Sequence, residues 1–180
     1  MEIIAWLLIV LLAVAALSLV GTGITGACWL PTPIPELKKI LEEAELKPGE
    51  LFVDIGCGDG RVLIAAASMF NARCVGVEID PLKALIARWR VKRAGLQDKV
   101  QIIRASAMDA PLAGADIVFV YLSHQLIDRL APKFAQELKP DARIISFGFM
   151  VRGFPLVKAD AGKKWFLYKM ALGQNLNRYL

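Results

Sequence analysis

The chain has 180 residues, 56% of them hydrophobic, and a formal net charge of +5. That length suits one domain with a real core and excludes a string of domains. Its three cysteines, Cys28, Cys57 and Cys74, are odd in number and lack metal-ligand spacing, which excludes a disulfide framework and fits a reducing compartment.

The apolar excess is concentrated at the start. From Ile3 to Val20 only Ser18 is polar. As a helix this run reaches roughly 27 Å, close to the ~30 Å of a hydrocarbon core. A cleaved signal peptide needs a basic leader, and only Met1 and Glu2 precede the run. The expectation is one uncleaved transmembrane helix. No Lys or Arg precedes it, while Lys38, Lys39 and Lys47 follow it. The positive-inside rule then predicts a single-pass membrane protein whose catalytic domain faces the cytoplasm, with the lipid bilayer as a partner.

"PTPIP" (31–35) reads as a stiff linker. The expected organisation is an anchor over 1–30, that linker, and one domain over 36–180. "ELKKILEEAEL" (36–46) sets Leu37, Ile40, Leu41 and Ala44 on one helical face. A continuously apolar strand follows at 51–55, then an Ala-rich helix over 60–70 and a second strand over 73–79. The next helix opens with Asp80 as N-cap and Pro81 at N1, and closes at Gly95. Its basic stretch "ARWRVKR" (87–93) suits a solvated face, anionic lipid or nucleic acid. Strands over 99–105 and 115–122 come next. The helix at 124–138 carries Leu126, Ile127, Leu130, Phe134 and Leu138 on one face, with Pro132 as an interruption. A fifth strand lies over 142–149, and two strands around an Asp-Ala-Gly turn close the pattern. Alternation predicts an α/β fold, doubly wound about a mostly parallel sheet of seven strands.

The first strand runs into "DIGCGDGR" (54–61). A plain βα turn needs one glycine; Gly56, Gly58 and Gly60 bring the backbone close to a ligand. A phosphate loop needs Gly-Lys-Ser/Thr, which is absent. The dinucleotide pattern G-x-G-x-x-G fails at Arg61. Asp54 at the strand end would repel a pyrophosphate and suits a cationic cofactor. S-adenosylmethionine carries an ammonium and a sulfonium and no phosphate.

Asp54-x-Gly56-x-Gly58-x-Gly60 resembles motif I of the class I, seven-β-strand methyltransferases. That resemblance implies a Rossmann-like methyltransferase fold with strand order 3-2-1-4-5-7-6, a terminal antiparallel hairpin and S-adenosylmethionine as cofactor. It implies that Glu78 accepts from both ribose hydroxyls, and that Asp109 accepts from the adenine amino group beside Ala107 or Met108. Asp59 either meets the methionine ammonium or caps the following helix, and Arg61 contacts a carboxylate. Asp80 is a helix cap.

The stretches "ELKKILEEAELKPGELFVDIGCGDGR" and "KFAQELKPDARIISFGF" are similar to the small protein lysine methyltransferases. That group includes the ATP synthase c-subunit and adenine nucleotide translocase enzymes and an archaeal relative. The implied substrate is a protein lysine, with membrane proteins among the candidates; neither nucleic acid nor metal is expected. The chain departs from the group at Tyr121-Leu122-Ser123-His124. Tyr121, at the carboxyl end of its strand, either lines a lysine channel or is an ordinary aromatic at a strand end. His124 is either an exposed helix-start residue or a general base, and Asp116 reads as structural. The alternatives are a small-molecule or lipid methyltransferase, or a non-catalytic cofactor-binding module.

Overall fold

The computed structural model describes residues 2, 4–6, 9, 32–162 and 164–171. Helix α1 (Ile34–Glu43) begins inside the stretch read as linker. Pro33 is its N-cap and Pro35 falls in its first turn, where a missing N–H breaks no helical bond. Leu37, Ile40 and Leu41 are buried, the face that their spacing predicts.

The rest runs β1 (Leu51–Ile55), α2 (Arg61–Phe70), β2 (Arg73–Glu78), α3 (Pro81–Arg93), β3 (Val100–Arg104), β4 (Ile117–Val120), α4 (His124–Glu137), β5 (Arg143–Phe147), β6 (Leu156–Ala159) and β7 (Trp165–Lys169). A 3-10 turn, Ala107–Asp109, lies between β3 and β4. Pro132 sits inside α4 without ending it. Its cost of ~3 kcal/mol is outweighed by burying Ile127, Leu130 and Phe134, at roughly 1.5–3 kcal/mol each.

The sheet has seven strands in the order β3-β2-β1-β4-β5-β7-β6. β1 to β5 are parallel, and β7 enters antiparallel between β5 and β6. This is the expected doubly wound sheet with its closing hairpin. Side chains alternate along each strand. Phe52, Phe119 and Ile145 join a core with α1, α2 and α3, while Val53, Val118 and Ile144 join one with α4.

The expected single-pass membrane localisation, with its cytoplasm-facing domain, is corrected by the structure. Among the described residues no helix is long and apolar enough to cross a membrane. The longest described helix, α4, has 14 residues, short of the roughly 20 that a span requires. Residues 10–31, most of the expected anchor, lie outside the described residues. The transmembrane helix and the bilayer as a partner are therefore without support.

Because β1, β2, β4 and β5 run parallel, their carboxyl ends share one edge of the sheet. The loops that follow them meet there, where open α/β sheets bind their ligands.

Candidate functional site

The glycine loop leaves β1 and is sewn to the end of β2. Gly56 and Cys57 both donate to the Val77 carbonyl, at 2.8 and 3.0 Å, and Gly58 N–H donates to Glu78 Oε2 at 2.9 Å. Two of its glycines are sterically required. Gly56 has φ +82°, and a Cβ there would lie 2.8 Å from Leu122 Cδ2. Gly60 has φ +77°, and its Cβ would lie 3.2 Å from the Ala87 Cβ of α3. The loop is thus clamped between the segment after β4 and the face of α3.

Asp54, paired in register with Gly76, is 2% exposed. Its Oδ2 finds no hydrogen-bond partner among the described residues. Burial pushes its carboxyl well above the usual range, and the nearby charges of Glu78 and Asp59 push it further. An orphaned buried carboxylate oxygen beneath a glycine loop fits a cation. A methionine ammonium meets that description, so these residues fit S-adenosylmethionine.

Glu78, expected to accept from the ribose, is also holding the loop. Its Oε2 takes the Gly58 N–H and its Oε1 takes the Asp80 N–H at 2.9 Å. Each carboxylate oxygen keeps a second lone pair for a hydroxyl. Asp80 caps α3 as expected, accepting from Leu82 and Lys83 N–H at 2.8 and 3.1 Å. Asp59 accepts the Arg61 backbone N–H at 3.2 Å and its guanidinium at 2.8 and 3.0 Å, and it is paired with Arg90 as well. Burial raises its carboxyl, but the Arg61 bonds and the charges of both arginines override that and hold it below the usual range. Arg90, out of sight in the sequence, neutralises this carboxylate from another helix. Cys57 and Cys74 are buried thiols. Burial and the charge of Asp54 push Cys74 up to about 12 and Cys57 higher still, so neither is a nucleophile.

Asp109 ends the 3-10 turn and is exposed, while Ala107 and Met108 pack on the α4 core. β3 ends beside Glu78, with Ala105 N–H donating to the Glu78 carbonyl at 3.2 Å. Tyr121 follows β4, and its ring meets Phe147 edge-on at 4.8 Å. His124 opens α4 behind the N-cap Ser123, and its Nδ1 lies 3.2 Å from Asp128 Oδ2. Leu122 stands between them against Gly56, so the structure brings the Tyr121–His124 segment up to the glycine loop. Phe147, which is buried, and Phe149, which is exposed, were missed in the sequence, where "SFGF" reads as the end of an apolar strand.

Asp116 lies at the opposite edge. It accepts the Leu51 N–H at 2.7 Å and pairs with Lys139 at 2.6 Å. A cavity of about 400 Å³ opens there, lined by Glu43, Glu50, Asp116, Lys139, Arg143 and Lys169 among others. Several of its charges are paired, Asp116 with Lys139, Arg143 with Glu50 and Lys169 with Asp141.

Comparison with known proteins agrees with this geometry. The model of the ANTKMT methyltransferase domain matches residues 54–158. A protein-lysine N-methyltransferase of Saccharolobus islandicus (strain REY15A) is 32% identical over 138 residues, which are 74% of this chain and 86% of that protein. The human lysine N-methyltransferase of the ATP synthase c-subunit is 30% identical over 122 residues, 67% of this chain and 51% of that one. The crystal structure of an RNA methyltransferase from Salinibacter ruber in complex with S-adenosyl-L-homocysteine superposes with a TM-score of 0.75 at 31% identity, over 82% of this chain and 99% of that one.

Proposed function

The chain belongs to the ANTKMT methyltransferase family and uses S-adenosylmethionine, and on that premise we propose that it methylates the side-chain amine of protein lysines. The observation that carries the lysine class is the match to a protein-lysine N-methyltransferase over 86% of that protein's length.

Bound, S-adenosylmethionine supplies a methyl group on a cationic sulfur. Asp54 would hold the ammonium end, Glu78 the ribose hydroxyls and Asp109 the adenine amine. The backbone at Gly56, Gly58 and Gly60 gives the close approach that no side chain would permit. A free lysine amine has pKa ~10.4 and attacks only when neutral. Tyr121 lines the path of the lysine and, with His124, offers acceptors toward the nitrogen as charge builds on it. Residues that hold the cofactor and the lysine in one fixed orientation would supply much of the remaining acceleration.

Purified protein incubated with labelled cofactor and a cell extract labels protein, and mass spectrometry finds the methyl on lysine. A second reading, an RNA substrate, is favoured by the Salinibacter match and by the basic stretch of α3, which exposes Trp89 among Arg88, Lys92 and Arg93. The nucleobase-amine motif Asp/Asn-Pro-Pro-Tyr/Phe is absent after β4, which weighs against part of that class. Label found in RNA and not in protein overturns the lysine reading.

A further inference from the structure

The connection after β5 is tightly held, yet it displays large apolar side chains to water. Ser146 Oγ donates to the Phe149 carbonyl at 2.6 Å, Gly148 N–H to the Lys164 carbonyl at 2.7 Å, and Val151 N–H to the Tyr168 hydroxyl at 3.0 Å. These bonds bracket Phe149 and Met150, which remain 44% and 50% exposed. A pinned backbone that leaves a phenylalanine and a methionine in solvent gains nothing for the core.

Their surroundings are aromatic. Gly148 has φ +88°, and a Cβ on it would lie 3.2 Å from Tyr121 Cε2. The Tyr121 ring therefore lies against the backbone just before Phe149. His124 presents its ring to Phe149 at 6.4 Å. Tyr121, packed on the buried Phe147, thus stands with Phe149 and His124 at the edge where the glycine loop would hold the cofactor. The chain carries a net charge of +5, so its overall field does not draw in a cationic lysine segment. Contact area must supply what charge withholds.

We propose that Phe149 and Met150 are specificity-determining residues which receive apolar side chains flanking the target lysine. This rests on the reading of the substrate as a protein lysine. The methylene stem of that lysine lies along Tyr121, and its neighbours in sequence cover Phe149 and Met150. The partner is an apolar segment carrying an isolated lysine rather than a polar or basic tail.

Two synthetic peptides test this, each with one lysine, flanked by leucines in the first and by serines in the second. The wild-type protein prefers the leucine peptide in kcat/KM by about tenfold or more. The double variant Phe149→Ala, Met150→Ala loses that preference while its melting temperature and cofactor Kd hold. Phe149→Leu retains most of the preference. Equal methylation of both peptides by wild type, or a preference that survives the double variant, overturns the inference and leaves the lysine reading intact. A wild-type protein that methylates neither lysine and labels RNA instead overturns both.

Discussion

Asp54 is a buried carboxylate whose Oδ2 has no hydrogen-bond partner among the described residues. Because burial raises its pKa, the folded protein holds a proton at pH values where the unfolded chain has released it. Stability therefore falls as pH rises above the unfolded value of ~3.9 toward the raised folded one, and it returns as pH is lowered through that folded value. Asp54→Asn removes the titration and keeps the shape. Its cofactor-free protein is expected to melt higher than wild type near neutral pH, while calorimetry finds cofactor affinity weaker by about tenfold or more, as loss of a charged partner implies. A lower melting point with affinity retained would mean that the loop has been misread. Asp54 was legible because its acid stands directly before the glycines. The partners of Asp59 were not. Arg61 is its near neighbour, but Arg90 lies 31 positions away on another helix, and no local pattern joins the two. Phe149 was hidden for a different reason, since an aromatic at the end of an apolar strand looks like core until its exposure is known.

At the scale of the element, α3 inverts the usual arrangement. It buries Ala84, Ala87 and Val91 and leaves Leu85, Ile86 and Trp89 exposed. The cap and the closing glycine were readable as local chemistry, so both ends of the helix were legible. The choice of buried face was not, because size and hydrophobicity point outward. The physical reason is that Ala87 lies so near Gly60 that a Cβ added to that glycine would sit 3.2 Å from the Ala87 Cβ. Only a small residue at position 87 lets the helix lie against the glycine loop. Ala87→Leu should therefore weaken cofactor binding although Ala87 stands outside the cofactor's expected contacts, with an overpacking cost of roughly 1–3 kcal/mol. Asp80→Ala, which deletes the cap of the same helix, should cost ~1 kcal/mol of stability. Paired thermal melts and cofactor titrations separate the two, and an Ala87→Leu protein with unchanged affinity would remove α3 from the site. The 3-10 turn at 107–109 and the start of α1 at Ile34 are further cases where short-range geometry was set by packing rather than by pattern.

Across the whole molecule, the alternation of strands and helices made the sheet legible, and the pair of strands after β5 made its hairpin legible. The expected single-pass location is corrected because among the described residues no helix is long and apolar enough to cross a membrane. β7 is the strand on which closure of the sheet depends. It pairs with Phe147 through Trp165 and with Ile144 through Tyr168, and among the described residues it is the sole ladder partner of β6. A protein truncated after residue 155 should expose the edge of β5 and partition into the insoluble fraction, without measurable cofactor binding. A soluble truncated protein that still binds cofactor would show the hairpin to be dispensable. The same insertion bears on how the molecule is made. A ribosome releases residues in order, at ~5–20 per second, so β5 emerges first, then the exposed outer strand, and last the strand that belongs between them. Until Lys169 has left the exit tunnel, the nascent sheet carries an open apolar edge, and a pause in translation anywhere between β5 and β7 prolongs its exposure to chaperones and to other unfinished chains.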